Sequence, residues 1–216
     1  MRDQQLLFSE LLCSRLCHDL ITPIGAINTG LELFEEQAFE RSEETEEIIG
    51  LIQQSASTAS ARLGFYRAAF GGSGNGLPLK DVKRLVEKYF AQGKLKFSWE
   101  SPFEDQLSLS HWGRILMNMI LWVQECAPRG GTLNVRPYQT HLPRIELELE
   151  ADTISLQAES QRALSGEVLL KDITPRTIQP YLLYLLAKDI DVTFELNQPT
   201  HRKLTFTAKK ASNPVT

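Results

Sequence analysis

His18 is the histidine whose neighbours suggest chemistry. Stepping by three and four from His18 reaches Arg15, Thr22, Gly25 and Thr29. On a helix these residues share a face. That face is polar or small throughout, and it lies about 200° around the helix from the apolar position Leu16. It therefore leaves an imidazole exposed, with a cation one turn before it and a hydroxyl one turn after it. An imidazole titrates near neutrality, so its neutral, nucleophilic form is abundant at cytoplasmic pH. Arg15 is placed to neutralise an anionic group arriving at the ring. Gly25 costs a helix up to about 1 kcal/mol relative to alanine. Close approach of another protein over Gly25 and Thr29 would explain that cost, as would a kink at Pro23. The plain alternative for His18 is a solvated surface side chain.

Other reactive residue types form no site. Cys13 and Cys17 precede His18 as C-x-x-x-C-H, one residue too long for haem attachment, and further zinc ligands are not nearby. With Cys126 they read as small buried packing residues. His111, His141 and His201 stand without partners at metal-ligand spacing and read as solvated or capping residues. S-x-x-K, G-x-S-x-G and Walker patterns do not occur, which removes support for hydrolase and P-loop chemistry.

Two long helices must position the histidine. Residues 4 to about 38 carry apolar side chains at Leu12, Leu16, Leu20, Ile24, Ile27, Leu31 and Phe34, steps of three and four that predict one amphipathic helix. It would span roughly 50 Å, with a kink expected at Pro23. After a polar connection, Ser42 is a candidate N-cap, and the acidic cluster Glu43, Glu44, Glu46 and Glu47 suits the positive end of a second helix. That helix is expected to run to Phe70, with Ile48, Ile52, Ala59, Leu63, Tyr66 and Phe70 at core spacing. A helical hairpin cannot cover its own apolar stripe; pairing two copies into a four-helix bundle would, so a homodimer is expected.

Gly71 to Pro78, GGSGNGLP, marks a boundary. It divides the chain into a hairpin unit, 1–72, and a second unit, 77–210. In the second unit the pattern predicts helices over 79–92, 110–126 (with Ser110 as a candidate cap) and 177–189. Strands are predicted over 95–99, 132–137, 144–150, 192–196 and 203–208. Interleaved strands and helices suggest an α/β sandwich, and the chain as a whole is read as α+β. With 216 residues, 42 % hydrophobic, 23 % charged and a net charge of −4, it has the composition of an ordinary soluble globular protein without the basic footprint of a nucleic-acid binder. No apolar run approaches the roughly 20 residues of a membrane span. The N-terminus is broken by charges, unlike a signal peptide, and three cysteines make no disulfide framework. A cytoplasmic location is expected.

The string H-D-L-I-T-P, with His18, Asp19, Thr22 and Pro23, resembles the phosphoacceptor box of the dimerisation and phosphotransfer domains of sensor histidine kinases. The match is sharper to ChpT-like histidine phosphotransferases, on Arg15-Leu16-Cys17-His18-Asp19 followed by Pro23, and on Phe65-Tyr66-Arg67-Ala68-Ala69-Phe70-Gly71. This resemblance covers nearly the whole chain and is strongest up to Gly71. It implies a hairpin that dimerises into a four-helix bundle, followed by a degenerate histidine-kinase-ATPase-like α/β sandwich. It also implies an activity: shuttling a phosphoryl group through His18 between aspartates on receiver domains, those of a hybrid histidine kinase and of response regulators. Asp19 would orient the ring or hold a proton. Thr22 matches the position that places water for phosphatase activity in the kinases. Mg²⁺ would come from the receiver, and the second unit would offer it a further docking surface.

The same comparison argues against a kinase. Arg114 to Val135 resembles the segment that opens the kinase ATP site, with Asn118 and Gly130-Gly131 at structural positions. The asparagine that kinases use for Mg²⁺ and ATP falls at Trp122. A D-x-G-x-G box is missing, since TISLQAES follows Asp152, and ITPRTIQPYLLYLLAKD replaces the last glycine-rich box. Phosphate-cradling loops need glycines for close backbone approach, and after Gly131 the chain has Gly166 alone. We therefore expect no ATP binding, no cofactor and no metal of its own. The alternatives are an ATP-dependent histidine kinase or phosphatase, opposed by the lost boxes, and a non-catalytic dimeric docking scaffold, opposed by the exposed Arg15–His18–Thr22 stripe.

Overall fold

The computed structural model describes residues 2–36, 43–72, 76–100, 112–138 and 143–211, with side chains from Gln5 onward in the first of these. Helix α1, Arg2–Glu36, and helix α2, Glu43–Ala69, form the hairpin. α1 runs on through Pro23, which is buried. Acidic residues in the first turn of α2 and Arg67 in its last complement the helix dipole. The helices come close at Gly30, where a Cβ would lie 2.6 Å from Ile52 Cγ1. The N-cap expected at Ser42 lies outside the described residues.

The second unit comprises α3 (Leu79–Tyr89), β1 (Leu95–Trp99), α4 (Gly113–Cys126), β2 (Gly131–Tyr138), β3 (Arg144–Glu150), α5 (Ala158–Leu164), a 3-10 turn (Leu170–Asp172), α6 (Ile178–Asp189), β4 (Val192–Thr200) and β5 (Lys203–Lys210). The sheet order is β1-β2-β3-β5-β4, with β1 parallel to β2 and the other pairs antiparallel. The expected strands are present. α3 ends at Tyr89, short of residue 92, and the expected Ser110 cap lies outside the described residues. α5 and the 3-10 turn are additions, too short for a periodic signal.

Alternation of side chains gives the sheet two different faces. Leu133, Val135, Ile145, Leu147, Leu149, Leu204, Phe206 and Ala208 are fully buried, and the register pairs Leu133 with Leu149 and Leu147 with Phe206. Facing them is α4, buried on nearly every side. The opposite face is charged. There Arg136 pairs with Glu100, Glu146 and Glu148, and Lys203 with Glu148 and Glu150. Entry into β2 depends on Gly130, at φ +95°, where a Cβ would lie 2.3 Å from the Lys94 carbonyl oxygen.

Hairpin and sheet share one core. The end of α2 buries Phe65, Tyr66, Ala68 and Ala69 in the same cluster as α3, α4 and the sheet. Asn118 Nδ2 donates to the Ala69 carbonyl at 2.9 Å, and Gln179 Nε2 donates to the Asn118 carbonyl at 2.7 Å. A buried amide thus ties α2, α4 and α6 together. A second attachment lies farther up α1, where Phe8, Leu11 and Leu12 pack on a cluster of Ala163, Ile173 and Ile178.

Replacing Asn118 by alanine removes the donor to the buried Ala69 carbonyl, while Gln179 keeps its bond to the main-chain carbonyl of residue 118. Asn118→Ala should lower unfolding free energy by about 2 kcal/mol, read as a lower urea midpoint at unchanged slope. Cys126 is also in this core, and burial pushes its thiol up to about 12. Mass mapping after iodoacetamide treatment at pH 8 should find Cys126 unmodified in the folded protein and alkylated once it is unfolded.

Candidate functional site

The His18 side chain is 85 % exposed on α1. Its Nδ1 lies 3.3 Å from Asp19 Oδ1. Asp19 is a quarter exposed and held from several sides. Its Oδ2 accepts a hydrogen bond from the Tyr66 hydroxyl at 2.7 Å and lies 3.4 Å from Arg15 Nε. Arg62 donates to the Asp19 main-chain carbonyl. The Tyr66 and Tyr89 hydroxyls are 2.9 Å apart.

Arg15 faces away from open solvent. Its guanidinium bridges Asp19 on its own helix and Glu125 on α4. Burial pulls Arg15 down, but the Glu125 carboxylate, its hydrogen bond and Asp19 reverse this and hold the group above its ordinary value. Burial pushes the Tyr66 hydroxyl far above its ordinary range, reinforced by Tyr89 and by the charge of Asp19. Tyr89 is raised too, again first by burial. Both hydroxyls therefore keep their protons and act as neutral hydrogen-bonding groups.

The expected stripe is partly assembled and partly divided. His18, Thr22, Gly25 and Thr29 are exposed along α1, and an added Cβ at Gly25 would meet nothing within 4 Å. Gly25 is therefore not required by packing within the chain. Arg15 turns from this stripe toward α4, into a cleft of about 460 Å³ that Asp19, Arg62, Tyr89, Lys94 and Glu125 also line. Sequence reasoning missed Arg62, Tyr66, Tyr89 and Glu125 as members of the site. Tyr66 carried a usable signal, because a tyrosine at core spacing needs a partner for its hydroxyl.

The residues set above against a kinase nucleotide segment make contacts of their own within the chain. Trp122 is buried at 1 % exposure, its ring 5.0 Å from that of Phe206. Asn118 is committed to the bonds described above. Beyond Asp152, the Ile154 amide donates to the His201 carbonyl. The segment around the 3-10 turn and the start of α6 packs under Phe8, Leu11 and Leu12 of α1. Among the described residues, no cluster of three or more His, Cys, Asp and Glu side chains is arranged to hold a metal ion. No helix among them is long and apolar enough to cross a membrane.

A family model for the histidine phosphotransferase C-terminal domain matches residues 79–202. Protein phosphotransferase ChpT of Brucella abortus (strain 2308) is 34 % identical over 203 residues, covering 92 % of this chain and 93 % of that protein. A solved bacterial phosphotransferase structure superposes with a TM-score of 0.79 at 34 % identity, over 94 % of this chain and 96 % of the other. The helical hairpin and the unit that follows it are thus shared architecture, and the chain belongs to the ChpT-like histidine phosphotransferases.

Proposed function

We propose that this phosphotransferase relays a phosphoryl group through His18 Nε2 between receiver-domain aspartates, without ATP. The observation that carries this reading is the geometry at His18: an exposed ring whose Nδ1 is engaged by a fixed carboxylate, leaving Nε2 as the nitrogen not held by Asp19. Phosphoryl transfer needs positioning and charge stabilisation more than covalent help from the protein. The receiver brings its own Mg²⁺ and acceptor aspartate. Arg15 lies one turn from the ring but is paired with Asp19 and Glu125, so it would act on an arriving phosphoryl group through Asp19, and Thr22 would orient water in a dephosphorylating flow. Gly25 and Thr29 extend the exposed face over which a receiver would lie. The buried Trp122 supports independence from ATP.

A second copy of the chain fits the uncovered apolar line of the hairpin. Leu6, Ile21, Ile24, Leu31 and Leu33 are exposed on α1, and at 100° per residue all but Leu33 fall within a sector of roughly 80°. Ile49 and Leu63 are exposed on α2. A lone hairpin leaves this surface in water, whereas a four-helix bundle buries it. His18 lies about 60° beyond Ile21, outside the sector, so it sits at the margin of such a bundle rather than within it. Receiver domains of a hybrid histidine kinase and of response regulators are the proposed partners, and a cytoplasmic location suits them.

With labelled ATP alone the wild type should take up no label. With ATP plus a hybrid kinase carrying a receiver it should become labelled, and His18→Ala should not. Labelling from ATP alone would establish a live kinase; no labelling under either condition would leave a docking scaffold. Light scattering should give about twice the chain mass of 24.4 kDa. Ile24→Glu, which places a charge on the apolar line, should return the mass of one chain.

A further inference from the structure

Two residues of the second unit make polar contacts to the hairpin close to Asp19. Tyr89, at the end of α3, meets Tyr66, and Glu125, on α4, meets Arg15. The tyrosine pair is the more informative. A phenol has one proton to give. Tyr66 gives it to the charged Asp19 carboxylate, the stronger acceptor, so Tyr89 must donate to the Tyr66 oxygen. The direction is then set along the whole chain: Tyr89 to Tyr66, Tyr66 to Asp19 Oδ2, with Asp19 Oδ1 beside His18 Nδ1.

Packing accounts for the rings but not for the oxygens. Tyr66 is stacked on Phe70 with centroids 5.3 Å apart, and Phe65 lies 4.5 Å from Tyr89. Phenylalanine would fill both places, and buried hydroxyls carry a desolvation cost unless they are used. Here they deliver a hydrogen bond from a rigid core to a carboxylate on the surface helix.

We propose that Tyr66, backed by Tyr89, is a positioning residue for phosphotransfer. It fixes the Asp19 carboxylate so that Oδ1 holds the His18 Nδ1–H tautomer and Nε2 presents its lone pair. This rests on the reading of His18 as phosphoryl carrier. In the transfer, the Nε2 lone pair forms the N–P bond. The P–O bond to the receiver aspartate breaks, and its electron pair leaves with the carboxylate. The Nδ1 proton stays in place, and the positive charge gained by the ring faces Asp19. The tautomer is set by the bond that the other nitrogen makes, so the second unit acts on the nucleophile through two hydroxyls.

Tyr66→Phe and Tyr89→Phe each remove one oxygen and keep the ring. The full-length protein, ¹⁵N-labelled in its four histidines, would be observed by ring-nitrogen NMR, with His18 assigned by its loss in His18→Ala. Wild type should show the Nδ1–H form. Tyr66→Phe should shift His18 toward Nε2–H, and Tyr89→Phe should do so less. Single-turnover acceptance from a phosphorylated receiver should slow about tenfold in Tyr66→Phe at saturating receiver, the worth of one hydrogen bond to a charged group. In an Asp19→Asn background, Tyr66→Phe should add nothing. Unchanged ring signals in Tyr66→Phe, or a slowing that persists with Asp19→Asn, would overturn the proposal. The ring signals need no receiver. A wild type that takes no phosphoryl group would therefore defeat the relay reading, while the tautomer shift still decides the role of Tyr66.

Discussion

The last turns of α2 serve two bodies at once, and the rest of the molecule depends on that sharing. Phe65 and Ala69 lie in the core with α4 and the sheet, and the Ala69 carbonyl is held by Asn118. One position along, Tyr66 reaches across to Asp19, and Arg62 holds the same residue by its main chain. A helix places i and i+4 on one face, so a shift of α2 would move both contacts together. The hairpin register, the orientation of the second unit and the setting of the Asp19 carboxylate are one constraint.

Such an arrangement fits the relay role proposed above. A kinase must bring bound nucleotide to its histidine, which calls for a catalytic domain free to move. Here that domain is fastened to the hairpin by a buried amide, a tyrosine pair and the Arg15–Glu125 ion pair. Breaking a half-buried, hydrogen-bonded pair leaves charge unsatisfied, so these fastenings resist separation. The cleft between hairpin and second unit is walled by these fastened elements.

What the sequence disclosed follows from the range of the interactions involved. Exposure of His18, Thr22, Gly25 and Thr29 depends on helical steps of three and four, which are local, and the positions came out as read. The strands were legible because Leu95, Phe97 and Trp99, or Ile145, Leu147 and Leu149, alternate with polar residues. The partners of Asp19 were not legible. Tyr66 is 47 residues away, and Arg15 meets Glu125 across 110 residues. Nothing in the local pattern of α1 says which residue of α4 will face it. Arg15 shows the result: its helical phase put it near His18, and a distant carboxylate then turned it into the cleft. α5 was invisible for another reason, since seven residues complete barely two turns.

The double attachment of α1 also limits what the gene can vary. Phe8, Leu11 and Leu12 are fastened to the cluster beside the 3-10 turn, and Arg15 and Asp19 to α4 and α2. Both sets of partners belong to the same packed unit, so the helix between them has a fixed length and a fixed phase. One inserted residue would advance the downstream face by about 1.5 Å and turn it by about 100°. Either His18 would rotate into the packed side or the first attachment would be lost. Substitutions at exposed positions such as Cys13 and Ser14 leave that phase intact. This stretch of α1 can therefore change in composition but not in residue count, much as a key may change its metal but not the spacing of its teeth.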